Sequence, residues 1–172
     1  MKIDAPQNFI YTHSTNDVMQ PNQHIFDIYS TDKTKKLGML VCHKSEIPLR
    51  SDYEGSVLAI DYLIVNKMNN GVGTQILKFA KDYSEQIGCN GYMTLKSDVS
   101  FTPARIPHLF YRRFGFSSFD KKTDKKLDKF IKTNRDATYK DFPCLIMHYP
   151  KPAEKPSKIR EIIFKVFKKI FK

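Results

Sequence analysis

The sequence predicts an α/β domain, a sheet of short strands flanked by helices, and three observations predict it. Residues 57–65 (VLAIDYLIV) are apolar on both faces except at Asp61, as a central strand covered on both sides requires. Directly after them, Val72, Ile76, Ala80, Tyr83 and Ile87 recur at helical spacing, with Phe79 and Leu77 widening the face. Ahead of them, short apolar runs broken by polar turns read as strands.

In chain order, residues 10–15 and 24–30 are strands separated by the turn-rich NDVMQPNQ. Residues 37–43 form a third strand after the polar turn TDKTKK, which makes a hairpin. EIPLRSDYEG is loop, and the apolar strand 57–65 follows. Asn70 can cap the next helix and Gly88 can end it. Residues 92–96 are another strand, with a short helix around residues 108–113 behind it. FSSF and CLIMHY close the sheet, and a basic helix near residues 124–134 lies between them. Residues 1–149 therefore form the domain. Residues 150–157 are a proline-broken linker, unsuited to helix or sheet. Ser157 then caps a basic amphipathic helix over 158–172, with Ile159, Ile162, Ile163, Val166 and Ile170 on one face and a ring of lysines on the other.

At 172 residues with 41% apolar composition, the chain is long enough for one substantial core. No apolar run approaches the ~20 residues of a membrane span. The start, MKIDAPQNFI, lacks the apolar core of a secretory signal. Cys42, Cys89 and Cys144 show no CxxC spacing, and an odd number suits a reducing cytoplasm. The five histidines are scattered, so no metal site is expected. The net charge of +11 is uneven: residues 1–111 hold 11 basic and 11 acidic side chains, residues 112–172 hold 18 and 7. Such asymmetry points to an acidic partner.

The loop between the apolar strand and its helix carries the chemistry. Glycines at Gly71 and Gly73 let backbone pass close to a ligand. The first helical turn offers unpartnered N–H groups and the positive end of the dipole, which favours a pyrophosphate. A Walker loop would need Lys and Ser/Thr after its last glycine, and here Thr74 and Gln75 follow Gly73. A Rossmann fingerprint would need a third small residue where Ile76 stands. Asp61, a carboxylate in an apolar strand on the face that alternation gives to Ala59, Leu63 and Val65, needs a partner or a function, because desolvation opposes its charge. It reads either as a general base toward a substrate ammonium or as a carboxylate that fixes substrate position.

The ordered set LAIDYLIV, KMNNGVGTQILKFAKDYSEQIG, GYMTLKS and LFYRRFGF resembles the GNAT (Gcn5-related) N-acetyltransferase superfamily, over about residues 38–116. The resemblance implies the acyl-CoA N-acyltransferase arrangement, a mixed and mostly antiparallel sheet flanked by helices. It implies acetyl-CoA as co-substrate and direct attack by a primary amine within a ternary complex. Asn69, Asn70, Gly71, Val72, Gly73 and Thr74 would cradle the pyrophosphate. Leu63, Ile64 and Val65 would pair through backbone with the pantetheine amides, where their strand splays from its neighbour. Tyr111 would donate its phenolic proton to the leaving thiolate, and Asp61 would assist deprotonation of the amine. His108, one turn before Tyr111, reads as a proton carrier or as a packing residue. Cys89 reads as a small buried side chain.

Other readings stand beside this one. Met68, Ala104 and Pro107 depart from the family pattern, which suits a catalytically idle CoA-binding or membrane-associated interaction module. The basic half suits an acetyltransferase acting on aminoacyl-tRNA, a nucleic-acid partner whose binding would depend on salt. The acceptor is otherwise a small-molecule or protein amine. The terminal helix either folds back onto the domain or a twin subunit, as in a homodimer, or adsorbs to an anionic membrane. The expected place is the cytoplasm, with 158–172 peripheral at the inner membrane face in the second case.

Overall fold

The computed structural model describes residues 9–16, 22–46, 55–67, 71–98 and 106–150. The linker beyond Pro150 and the helix at 158–172 lie outside them. The elements run β1 (Ile10–Asn16), β2 (Gln23–Tyr29), β3 (Lys36–Ser45), β4 (Val57–Val65), α1 (Val72–Gln86), β5 (Met93–Ser97), α2 (His108–Phe114), β6 (Ser117–Ser118), α3 (Lys121–Lys132) and β7 (Leu145–Tyr149). Seven strands form one sheet in the order β1-β2-β3-β4-β5-β7-β6. Every pairing is antiparallel except β4 with β5, which is parallel and crosses over through α1.

Each element has a local cause. The β2–β3 turn closes with Ser30 N–H to Lys35 C=O at 2.8 Å, Asp32 accepts from the Thr34 N–H at 3.1 Å, and Lys33 takes a positive φ of 61°. Gly71, with φ 81°, is the N-cap of α1, and Asn70 lies outside the described residues. Gly88, at φ 80°, follows its last turn as expected. Helix α3 starts three residues before the expected residue 124, because Asp120 accepts from the Lys122 and Thr123 N–H groups. FSSF supplies just the two-residue β6.

The core lies between α1 and one face of β1–β4, where Phe26, Ile28, Leu40 and Leu58 meet Ile76, Leu77 and Phe79 with almost no exposure. Phe26 meets Phe79 edge-on at 5.0 Å between centroids. Helix α2 is tied to α3 by Arg112. Its guanidinium, 4% exposed, bonds both Asp128 oxygens at 2.7 and 2.8 Å and lies 3.3 Å from Asp124. The same side chain donates to the Phe116 carbonyl at 3.1 Å, so it fixes the end of its own helix as well.

Candidate functional site

The site starts with a defect in β4. Its parallel pairing with β5 consists of Leu58–Met93, Ala59–Thr94 and Ile60–Leu95, and stops there. Pairing with β3 continues to Val65. From Asp61 to Val65, β4 therefore presents an unpaired edge toward the β5 side among the described residues. The break coincides with an irregularity on the other side of β4. In the β3–β4 register Cys42 faces Ile60 while Val41 faces Tyr62, which leaves Asp61 as one extra residue, a β-bulge.

The bulge corrects one sequence expectation. Simple alternation puts Asp61 on the face of Ala59, Leu63 and Val65. The extra residue breaks the period, so Leu63 and Val65 pack toward the core with α1 while Asp61 turns to the opposite face. There its Oδ2 accepts from Gln23 Nε2 and from His43 Nδ1, each at 3.0 Å. Ile64, Tyr62 and Ala59 share that face, with Tyr62 and Ile64 largely exposed.

At the top of the open edge sits the first turn of α1. Gly71 has open space around a would-be Cβ, so its positive φ alone accounts for glycine. Gly73 is glycine for a second reason: a Cβ there would sit 3.1 Å from Phe110 Cζ of α2. Helix α2 thus closes on the turn that Val72, Gly73 and Thr74 form. Between the two helices lies a cleft of about 490 Å³, lined by Thr74, Lys78, Lys81, Phe110, Arg113, Phe114 and Tyr149. Its cations escaped the sequence reading, although Thr74, Lys78 and Lys81 are spaced along one helical stripe. Lys81 is held by Glu85 at 2.6 Å. Asn69 and Asn70 lie outside the described residues.

Tyr111 occupies the middle of α2, buried beside Phe110 and Phe116 at 5.2 and 5.8 Å between centroids. Burial pushes its phenol up to about 12. The phenolic oxygen makes no hydrogen bond to another described residue. Gly115 at φ 115° ends α2, and the Phe116 N–H returns to the Tyr111 carbonyl at 3.0 Å. His108 is fully buried. Its Nε2 donates to the Pro143 carbonyl at 2.7 Å, so Nδ1 accepts from the Ser97 hydroxyl at 2.5 Å. Both ring nitrogens are engaged, and burial lowers the pKa, so His108 is a neutral packing residue. Cys89 is buried, and desolvation raises its thiol pKa. Among the described residues, no group of three or more His, Cys, Asp or Glu is placed to hold a metal ion.

The deciding feature is the combination of strand order, a parallel β4–β5 pair that opens beyond Ile60, and a glycine-opened α1 above the opening. This is the mixed, mostly antiparallel arrangement that the sequence resemblance implies. No family model and no curated protein matches the sequence. Among solved structures, it is similar to an acyl-CoA N-acyltransferase from Pseudomonas aeruginosa, with 14% identity, TM-score 0.43, and 73% of this chain and 67% of that one covered. It is also similar to a chain of the NatC complex bound to Gag peptide and CoA, with 14% identity, TM-score 0.45 and coverage of 74% and 71%. A Pyrococcus horikoshii protein aligns at 18% identity and TM-score 0.44, over 75% of this chain and 66% of its own. In this chain α3 lies between β6 and β7.

Proposed function

We propose that this chain is an N-acetyltransferase that moves an acetyl group from acetyl-CoA to a primary amine by direct attack in a ternary complex. The observation that carries the reading is the open β4 edge beyond Ile60, ending beside the glycine-opened first turn of α1.

Each part of the cofactor has a partner of matching chemistry. The pyrophosphate lies on the N–H groups and dipole of the Gly71–Thr74 turn, with Asn69 and Asn70 leading into it. Lys78 and Arg113 extend the positive charge along the cleft, and Phe110 offers an apolar wall. The pantetheine amides take the place of the missing strand along Leu63, Ile64 and Val65, and a backbone N–H there polarises the thioester carbonyl.

In the transfer, the amine nitrogen forms a bond to the thioester carbonyl carbon and the C–S bond breaks. Tyr111, protonated at neutral pH with its pKa raised to about 12, supplies a proton to the departing sulfur. Asp61 serves the other side, where the acceptor must lose its ammonium proton. The acceptor is a small-molecule or protein amine.

The test is calorimetric titration of acetyl-CoA together with a turnover screen over primary amines. Lys78→Ala and Arg113→Ala should weaken binding, and Tyr111→Phe should bind normally but turn over slowly. A Tyr111→Phe protein with undiminished turnover removes the acid role.

A further inference from the structure

From the geometry around Asp61 we infer that His43 is the catalytic base that takes the proton from the acceptor ammonium, with Asp61 as its positioning residue. The inference rests on the acetyl-transfer reading above and adds a residue from a neighbouring strand.

Three observations meet at His43. First, an Asp61 carboxylate oxygen can accept but not donate, so the 3.0 Å contact requires the proton on His43 Nδ1. The lone pair is then on Nε2. Second, Nε2 makes no hydrogen bond to another described residue, and the side chain is 30% exposed. Asp61 is itself held by Gln23 at 3.0 Å, through the same oxygen, Oδ2, that meets His43. Third, the pair sits on the face away from α1, beside the point where β4 leaves β5. Cofactor phosphates held by α1 and α2 approach the opening from one face, which leaves the His43 face for the acceptor. His43 is surrounded there by Gln23 and Ile25 of β2, Val41 and Ser45 of β3, and Ala59, Asp61 and Tyr62 of β4. Asp61 is the charged member of that set and Tyr62 the other titratable one.

The chemistry balances. The acceptor arrives as an ammonium, and His43 Nε2 takes one proton from it. The freed lone pair forms the N–C bond at the thioester carbonyl and the C–S bond breaks. The nitrogen loses a second proton as the amide forms. That second proton passes through solvent to the Tyr111 phenolate left by protonation of the sulfur, and the imidazolium returns its own to solvent, so the net products are amide, thiol and one proton. Asp61 fixes the Nδ1–H tautomer and stabilises the imidazolium, which is the division of labour in a carboxylate–histidine pair.

The experiment uses the full chain with acetyl-CoA and a panel of alkylamines. His43→Gln should lower kcat/KM by about 100-fold near neutral pH, in the range for loss of a general base. Its acetyl-CoA affinity should be unchanged, and the loss should shrink toward pH ~10, where an alkylamine needs no base. Asp61→Asn should give a smaller loss of the same pH form. Histidine nitrogen-15 spectra supply a readout independent of turnover and of mutant folding: wild-type His43 should carry its proton on Nδ1, and Asp61→Asn should release that preference. Wild-type turnover in His43→Gln, or an Nε2–H tautomer in the wild type, overturns the inference. A wild-type protein that does not bind acetyl-CoA overturns the function proposed above, and this inference with it. Binding with a failed His43 test leaves that function standing.

Discussion

Phe110 of α2 packs onto the bare Cα of Gly73 in the first turn of α1, with its Cζ 3.1 Å from where a Cβ would stand. The contact joins the two helices that flank the cleft holding Lys78 and Arg113, so the glycine shapes the site as well as leaving room for a ligand. Gly73→Val should therefore destabilise the fold by about 1–3 kcal/mol through overpacking. Combined with Phe110→Ala, the loss should fall well short of the sum of the single changes. Urea unfolding of the four proteins measures this, and strict additivity would show that the contact carries no weight.

Lys78 and Arg113 face the cleft from different helices without an ion pair among the described residues. Replacing either by Ala should weaken acetyl-CoA binding by roughly 5–150-fold, the loss of a charge-assisted bond worth about 1–3 kcal/mol. The effect should be larger at low salt. Desulfo-CoA, which keeps the phosphates, should lose affinity to the same extent, and calorimetry with it separates phosphate contacts from thioester contacts.

Tyr111, the proposed acid, also sets part of the alkaline stability. Its pKa is raised to about 12 by burial, from an ordinary value of 10.0. Above pH ~10 the unfolded chain loses that proton while the folded chain keeps it. The unfolded state then binds fewer protons, so stability falls as pH rises from about 10 toward 12. Tyr83, also raised to about 12, adds to the same slope. Tyr111→Phe should flatten the fall measured by urea midpoints between pH 9 and 11.5, while lowering turnover at pH 7.

His108 acts at the other end of the pH scale. Burial lowers its pKa below 6.5, so as pH drops through that value the unfolded chain takes up a proton that the folded chain refuses. Stability should fall on acidification, beginning near the unfolded value. Ser97→Ala should lower stability at every pH by leaving Nδ1 without its donor, by about 1–3 kcal/mol. Acetyl-CoA affinity should stay unchanged, as befits a packing residue.

Arg112 holds α3 to α2 with its buried guanidinium. Arg112→Ala removes the guanidinium that Asp124 and Asp128 share and should cost about 3 kcal/mol. Arg112→Lys should recover little of that, because an ammonium cannot make the paired contact to Asp128. Hydrogen exchange across Lys121–Lys132 should show the loosening directly.

Much of this architecture was readable from residue pattern. The continuous apolar run of β4 and the helical stripe of α1 each satisfy one period over many residues, so both emerged with bounds close to those observed. The hairpin of β2 and β3 followed from its polar turn. What was hidden depends on a single residue of register. The bulge at Asp61 changes no composition and no period outside itself, yet it reverses which side chains share a face, and so concealed the His43 partnership. The cation cleft was hidden for a different reason. Lys78 and Arg113 are 35 positions apart and meet through the Gly73–Phe110 contact, which is a tertiary fact. Asp120 could have been read as the α3 cap, since it stands before a run of good helix formers.

The central claim is that the open β4 edge and the α1–α2 cleft together hold acetyl-CoA. Calorimetric titration of the wild-type chain and of the Lys78→Ala/Arg113→Ala pair with acetyl-CoA tests it most directly. The account predicts saturable binding at one site per chain, with affinity lost in the double variant while its thermal midpoint is kept. No heat of binding in the wild type, or equal affinity in both proteins, would contradict it.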